Sequence, residues 1–206
     1  MLLFGGGGHC KSCIEAIESY EKYEISGIVL SKPNSSGAVF NYQILGTDDE
    51  LVRLKKISKF ALVTVGQIKS AVLRRKLYQK LKNSGFVLPF IVAKTAYISP
   101  RAGIASGSIF LHGSVVNSAA AVGANCIINT RAVVEHDAVV SDHCHISTGA
   151  ILNGGVYVGS GSFIGSGSII REGVKIGVGS FIGAGQVITK DLPDGAFYTQ
   201  GGSFER

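Results

Sequence analysis

From Ile98 onward the apolar positions of this chain recur every six residues. Ile98, Ile104, Phe110, Val116, Val122, Ile128, Val134, Val140, Ile146, Leu152, Val158, Ile164, Ile170, Ile176, Ile182 and Ile188 form one unbroken column in which none is polar. A helix repeats every ~3.6 residues and a plain strand every ~2, so neither asks for this spacing. A left-handed parallel β-helix does, because each flat side of its triangular coil takes one six-residue unit. A second column, four positions on, is small: Ala102, Ser108, Ser114, Ala120, Cys126, Ala132, Ala138, Cys144 and onward. The narrow corners of such a coil leave little volume, so these residues read as core. With strands ~4.8 Å apart, about five coils make a prism on the order of 25 Å long. Glycines at 159, 161, 165, 167, 177, 179, 183 and 185 are expected to supply tight corners in the later coils.

The first 90 residues follow a different pattern. Leu2–Phe4 is a short apolar run that ends in Gly5-Gly6-Gly7-Gly8-His9. A helical pattern follows, with Ser12 as its expected cap and Ile14, Ile17 and Tyr20 on one face. Ile25–Leu30 and Phe60–Val65 read as strands. Thr47 or Asp48 is expected to cap a helix carrying Leu51, Leu54 and Ile57, and a further helix runs from Gln67 to about Asn83, where Gly85 stops it. Strands alternating with helices predict a parallel sheet with right-handed crossovers. The fold class is therefore α/β plus all-β: a small Rossmann-like domain over residues 1–90 and a left-handed β-helix over residues 91–206.

Charge sharpens this division. Residues 1–92 hold 13 Lys and Arg against 7 Asp and Glu, whereas residues 93–206 hold 7 and 7. The excess mostly marks helix faces (Lys55, Lys56, Arg74, Arg75, Lys76, Lys80, Lys82) rather than interleaving with aromatics, so nucleic acid is not an expected partner. A phosphate-bearing small ligand is compatible with it. No stretch is long and apolar enough for a membrane span, and no basic leader precedes an apolar run. Cys10 and Cys13 have no second pair to complete a zinc site, Cys126 and Cys144 fall in the small column, and reduced thiols suit the cytoplasm.

Two sites stand out. Backbone N–H groups of Gly5, Gly6, Gly7, Gly8 and His9, at the start of a helix, can cradle a phosphate. Gly5 and Gly7 fit the first two places of a dinucleotide fingerprint, but Cys10 holds the third. The second strand ends Leu30-Ser31-Lys32 without an acid for a ribose diol, so NAD-dependent chemistry is not expected. The other site is Glu135-His136-Asp137, which puts a histidine between two acids outside both buried columns. Adding one coil of eighteen to His136 reaches Gly154, directly beside it. A histidine oriented by a carboxylate, next to a bare backbone N–H, suits acyl transfer: the imidazole takes a proton from an amine or hydroxyl, and the N–H faces the developing oxyanion.

At these residues the chain resembles the bacterial sugar O- and N-acyltransferases, of the sialic-acid O-acetyltransferase and nucleotide-aminosugar N-acetyltransferase type. The resemblance rests on Phe4-Gly5-Gly6-Gly7-Gly8-His9, on Asn129-Thr130 through Val134-Glu135-His136-Asp137, and on His145-Ile146-Ser147. It implies acetyl-CoA as cosubstrate, a homotrimer, His136 as general base, Asp137 as its orienting acid and Gly154 as oxyanion donor. It also implies that Asn129 and His145 line the site beside Glu135, with no resident metal. The expected reaction is acetylation of an amino group on a UDP-4-amino-sugar. The alternatives are a hydroxyl of a sialic acid or other sugar, and a zinc-dependent hydratase of the carbonic-anhydrase kind on the same β-helix.

Overall fold

The computed structural model describes residues 1–32, 37–199 and 202–204. The N-terminal unit contains β1 (Leu2–Phe4), α1 (Gly8–Tyr20), β2 (Gly27–Leu30), β3 (Ala38–Val39), β4 (Tyr42–Thr47), α2 (Leu51–Ile57), β5 (Ala61–Val63) and α3 (Val72–Asn83). Its sheet has the order β3-β4-β2-β1-β5. All neighbours are parallel except the β3–β4 hairpin. That hairpin is an addition to the expected strands. Three helix starts also differ. α1 is capped at Gly7 and α2 at Glu50, neither through a side chain, and α3 begins at Val72, later than Gln67. Ser12 therefore lies inside α1, and Asp48 is released from a capping role.

Beyond residue 90 the chain coils into three flat sheets built, up to Ile188, of two-residue parallel strands. The first sheet runs through Ile91–Val92, Ile109–Phe110, Ile127–Ile128, His145–Ile146, Phe163–Ile164 and Phe181–Ile182 to Phe197–Thr199, where Gly202–Phe204 adds a last, antiparallel strand. The second runs from Tyr97–Ile98 through Val115–Val116, Val133–Val134, Ile151–Leu152 and Ile169–Ile170 to Val187–Ile188. The third runs from Gly103–Ile104 through Val139–Val140 to Lys175–Ile176.

From Ile91 to Ile188 each strand pairs with the residue eighteen later, as Ile127 with His145 and Val133 with Ile151, and the last coil closes at sixteen, as Phe181 with Phe197. The second residue of each strand points inward, and the column from Phe110 to Ile188 is buried together with Ala120, Cys126, Ala132, Ala138 and Cys144. Ile98 and Ile104 are only partly buried, because few coils lie beyond them. A third column, never singled out by hydrophobicity, turns the corners with positive φ. It includes Asn125, Arg131, Asp137 and His143 as well as the glycines at 149, 155 and 161. Gly165, by contrast, has no positive φ; a Cβ there would sit 2.4 Å from the Gly183 carbonyl carbon of the next coil.

The outward column of the first sheet explains how the two units join. Ile91, Ile109 and Ile127 are buried under Cys13, Ile14 and Ile17 of α1 and under Leu3 of β1. Farther along, the same column becomes His145, edge-on to Phe163, followed by stacked Phe181 and Phe197. The expectation that Arg74 belongs to a solvated helix face is overturned. Its side chain is 0% exposed. Its Nη1 donates to the Val63 and Val65 carbonyls at 2.8 Å, and its Nε donates to the Asn125 carbonyl at 3.2 Å. Burial without a carboxylate partner pushes its pKa down to about 10. Arg74 thus ties β5 and α3 to a corner of the coil. Among the described residues no helix is long and apolar enough to cross a membrane.

The inward column predicts a sharp asymmetry between neighbouring residues. Ile146→Ala is expected to lower the unfolding free energy by about 2–5 kcal/mol. Lys175→Ala, on the outer side of a strand, is expected to change it by less than about 0.5 kcal/mol. Urea unfolding of the two variants checks this.

Candidate active site

The carboxyl edge of the N-terminal sheet meets the first sheet of the coil at a cleft of about 1080 Å³. One wall is Gly5 to Gly8, His9 and Ser12; a second is Leu30, Ser31, Lys32 and Asp48; the coil contributes Asn129, Thr130, His145 and Thr148. The glycine run turns tightly against β5. Gly5 has φ +123°, and a Cβ there would lie 2.7 Å from Val65 Cγ2. Past that turn the N–H groups of Gly6, Gly7, Gly8 and His9 make no hydrogen bond to the described residues. They stand at the positive end of α1, facing the cavity, an arrangement suited to an anion.

His145 and Asn129 are held rigidly at the other end of this cleft. His145 Nδ1 donates to the Gln67 carbonyl at 2.6 Å, and Asn129 Nδ2 donates to His145 Nε2 at 3.0 Å. Both ring nitrogens are therefore occupied. Burial, opposed by the Gln67 bond, pushes the His145 pKa down to about 4. The ring is neutral at neutral pH and serves to lock the two units together and to aim Asn129. His9, with its ring centroid 6.5 Å away, is also kept neutral: burial first, then the Arg74 and His145 charges, push its pKa down to about 3. Gln67 and Arg74 were not among the residues expected here. No local motif marks them; each matters through a partner dozens of residues away.

His136 and Asp137 lie elsewhere, at the corner between the second and third sheets, with side chains 66% exposed. Asp137 Oδ2 accepts from His136 Nδ1 at 2.8 Å, which leaves Nε2 with its lone pair outward. That bond, then the Asp137 and Glu135 charges, raise the His136 pKa above the ordinary histidine value. Gly154 sits one coil along, as simple addition predicts. A Cβ on it would fall 2.6 Å from His136 Cε1 and 2.7 Å from Nε2, so only a glycine leaves the ring in place. The Gly154 N–H makes no hydrogen bond to the described residues. Glu135 turns away from the ring to accept from Asn117 Nδ2 at 2.9 Å.

The expected residues thus fall into two groups: Gly5 to His9 with Asn129 and His145 around the cleft, and Glu135, His136, Asp137 and Gly154 on a corner. Among the described residues no cluster of three or more His, Cys, Asp or Glu side chains is arranged to hold a metal.

This architecture and these residues have close counterparts. Residues 1–81 match the PglD N-terminal domain family. The structure superposes on PerB from Caulobacter crescentus, solved with CoA and GDP-perosamine, with a TM-score of 0.89 and 33% identity, covering 95% of this chain and 91% of that one. This chain belongs to the hexapeptide-repeat sugar N-acetyltransferases. As a member, the enzyme is an acetyl-CoA-dependent sugar acyltransferase. It is also similar to the acetyltransferase domain of PglB from Neisseria gonorrhoeae, solved with acetyl coenzyme A (TM-score 0.87, 30% identity, 100% of this chain and 98% of that one). WeeI from Acinetobacter baumannii shares the fold at 20% identity, with a TM-score of 0.85 over 98% of this chain and 97% of that one. No match is found among curated proteins.

The glycine run gives a test that separates anion binding from a purely structural turn. Gly7 has φ −79° and ψ −170° at the N-cap, and a Cβ there meets nothing within 4 Å. Gly7→Asp places a favourable capping carboxylate there, so the enzyme should be at least as stable. The same carboxylate occupies the N–H groups and repels a phosphate. The acceptor KM is expected to rise roughly tenfold or more, while KM for acetyl-CoA is unchanged. Unaltered acceptor kinetics in this variant would show that the turn is structural.

Proposed function

We propose that the enzyme transfers the acetyl group of acetyl-CoA to an amino group of a nucleoside-diphosphate-linked sugar, with a UDP-4-amino-sugar as the expected acceptor. The similarity to the perosamine N-acetyltransferase solved with CoA and GDP-perosamine supports an amine on a nucleotide-linked sugar. The free N–H groups of the glycine run support a diphosphate in the cleft. Acetyl-CoA supplies an activated thioester. His136 Nε2 then takes the proton from the attacking amine as its nitrogen bonds the thioester carbon, Asp137 holds the ring tautomer and stabilises the imidazolium, and the Gly154 N–H faces the thioester oxygen as charge develops there. The C–S bond then breaks, with the imidazolium returning its proton to the departing CoA sulfur.

The enzyme is proposed to act as a homotrimer because one chain alone separates base from acceptor. The cleft opens at the corner between the first and second sheets, where Asn129, Thr130 and Thr148 stand. His136 stands at the far corner of the second sheet, a side of roughly 20 Å at most by strand rise. Between them the outward column of that sheet is Tyr97, Val115, Val133, Ile151, Ile169 and Val187, without one polar residue. Tyr97, Ile169 and Val187 are exposed in the single chain. An apolar strip of this length suits burial against a second copy. That copy brings its His136 to the neighbour's cleft, and its desolvating contact completes the groove for acetyl-CoA.

His136→Ala is expected to lower turnover of a nucleotide-linked amino sugar by about 10²–10⁴-fold without dissociating the assembly. The base acts when neutral and its pKa is raised, so wild-type kcat/KM should climb with pH through a value above that of ordinary histidine. Asp137→Gly removes the raising bond, so the acidic limb should move to lower pH while the plateau falls. Asp137 has φ 60°, and glycine adopts that conformation without the strain of about 1 kcal/mol, so this variant should fold well. A near-wild-type rate for His136→Ala with both UDP- and GDP-linked amino sugars would exclude the mechanism.

A further inference from the structure

The second strand of the sheet ends in Ser31 and Lys32, with no acid at the position where a dinucleotide-binding fold holds a ribose. The topology supplies one from the next strand. β4 lies parallel to β2 with Thr47 opposite Leu30, and the Asp48 N–H donates to the Leu30 carbonyl at 3.0 Å. Asp48 therefore stands beside Ser31 at the carboxyl edge and lines the cleft with it. Its side chain is 15% exposed, with Oδ1 accepting from Lys80 Nζ at 3.1 Å. Its Oδ2 has no hydrogen bond to the described residues.

We propose that Asp48 binds the ribose hydroxyls of the nucleotide carrier. This rests on the nucleotide-linked acceptor proposed above and adds the direction in which that acceptor lies. The acetylated amine must point toward the coil, because His136 and Gly154 belong to the coil. The Asn129, Thr130 and Thr148 end of the cleft therefore takes the amino sugar, and the nucleoside is left with the opposite end, at Ser31, Lys32 and Asp48. From β1 across β2 to β4 is two strand spacings, roughly 10 Å. A diphosphate over the glycine run thus places its ribose, rather than its second phosphate, opposite Asp48. A carboxylate is an acceptor only, with about four lone-pair sites, and a vicinal diol offers two O–H donors to it. Lys80 has a second role here. Unpaired, the Asp48 charge would repel the diphosphate; the ammonium between Asp48 and Asp49 offsets that repulsion while leaving Oδ2 open.

The test is calorimetric titration of the intact enzyme with UDP, GDP and their 2′,3′-dideoxy analogues. In the wild type the ribo form of the diphosphate that binds should be favoured by roughly tenfold or more, the scale of a hydrogen bond to a charged group. Asp48→Ala should reduce that ratio to near one. Lys80→Met breaks the same ion pair but keeps the carboxylate, so it should preserve the ratio even if overall affinity falls. A ratio unchanged in Asp48→Ala, or lost equally in Lys80→Met, overturns the proposal and leaves Asp48 as an ion-pair anchor for α3. If the wild type binds neither UDP nor GDP, the nucleotide-linked acceptor itself is overturned, and the role of Asp48 with it.

Discussion

The site in this enzyme depends on the stacking of one coil on the next at a spacing of eighteen residues, kept from Ile91 to Ile188. The inward column drives it: each apolar side chain reaches the same place around the prism axis as the one eighteen positions away, one coil along, and burial holds it there. The ladder is closed by backbone bonds such as Ile127 N–H to the Cys144 carbonyl and Asn129 N–H to the Ile146 carbonyl, both 2.9 Å. Slipping one residue would turn the apolar column outward. The same register sets Gly154 against the His136 ring and puts the Asn129 side chain within reach of His145. The chemistry is thus an accompaniment of the core spacing. The proposed base and oxyanion donor are neighbours because their coils are.

The second constraint is how the α/β unit sits on the coil. Its apolar sheet and helix cover the start of one flat face, and the Arg74–Asn125 and Gln67–His145 bonds fasten its edges. A buried guanidinium with only carbonyl acceptors is costly to hold, and it places a positive charge beneath a cleft lined by neutral His9 and His145. That combination favours an anionic ligand without adding a titrating group near neutral pH. The unit occupies one face, the cleft opens at the corner between the first and second sheets and His136 stands at the far corner of the second, which is why a neighbouring copy on the apolar second face is proposed to complete the site.

The coil was legible in the sequence almost residue by residue, because a period of six has no competing explanation. The position of Gly154 beside His136 followed by arithmetic alone. The α/β unit was legible only as a class. Its β3–β4 hairpin was missed because Asn41 and Gln43 interrupt the apolar pattern, and Ser12, Thr47 and Asp48 looked like caps that the backbone does not use. Arg74 looked like its neighbours Arg75 and Lys76, which are exposed; only the docking of α3 against a coil corner buries it. Asp48 is the same kind of case. Its place at the cleft depends on β4 pairing with β2, and no spacing along the chain announces which strand lies beside which.

His136 of one copy is proposed to serve the cleft of its neighbour. Co-expression of a His136→Ala chain with a Gly7→Asp chain tests it at acceptor concentrations well below KM, where the first alone should be nearly inactive and the second should keep about a tenth of the wild-type rate or less. Mixed assemblies pair an intact cleft with an intact base at random sites, so about one quarter of the wild-type rate should return. If the purified mixed assemblies are no more active than the Gly7→Asp parent, base and cleft act within a single chain and the shared site is wrong.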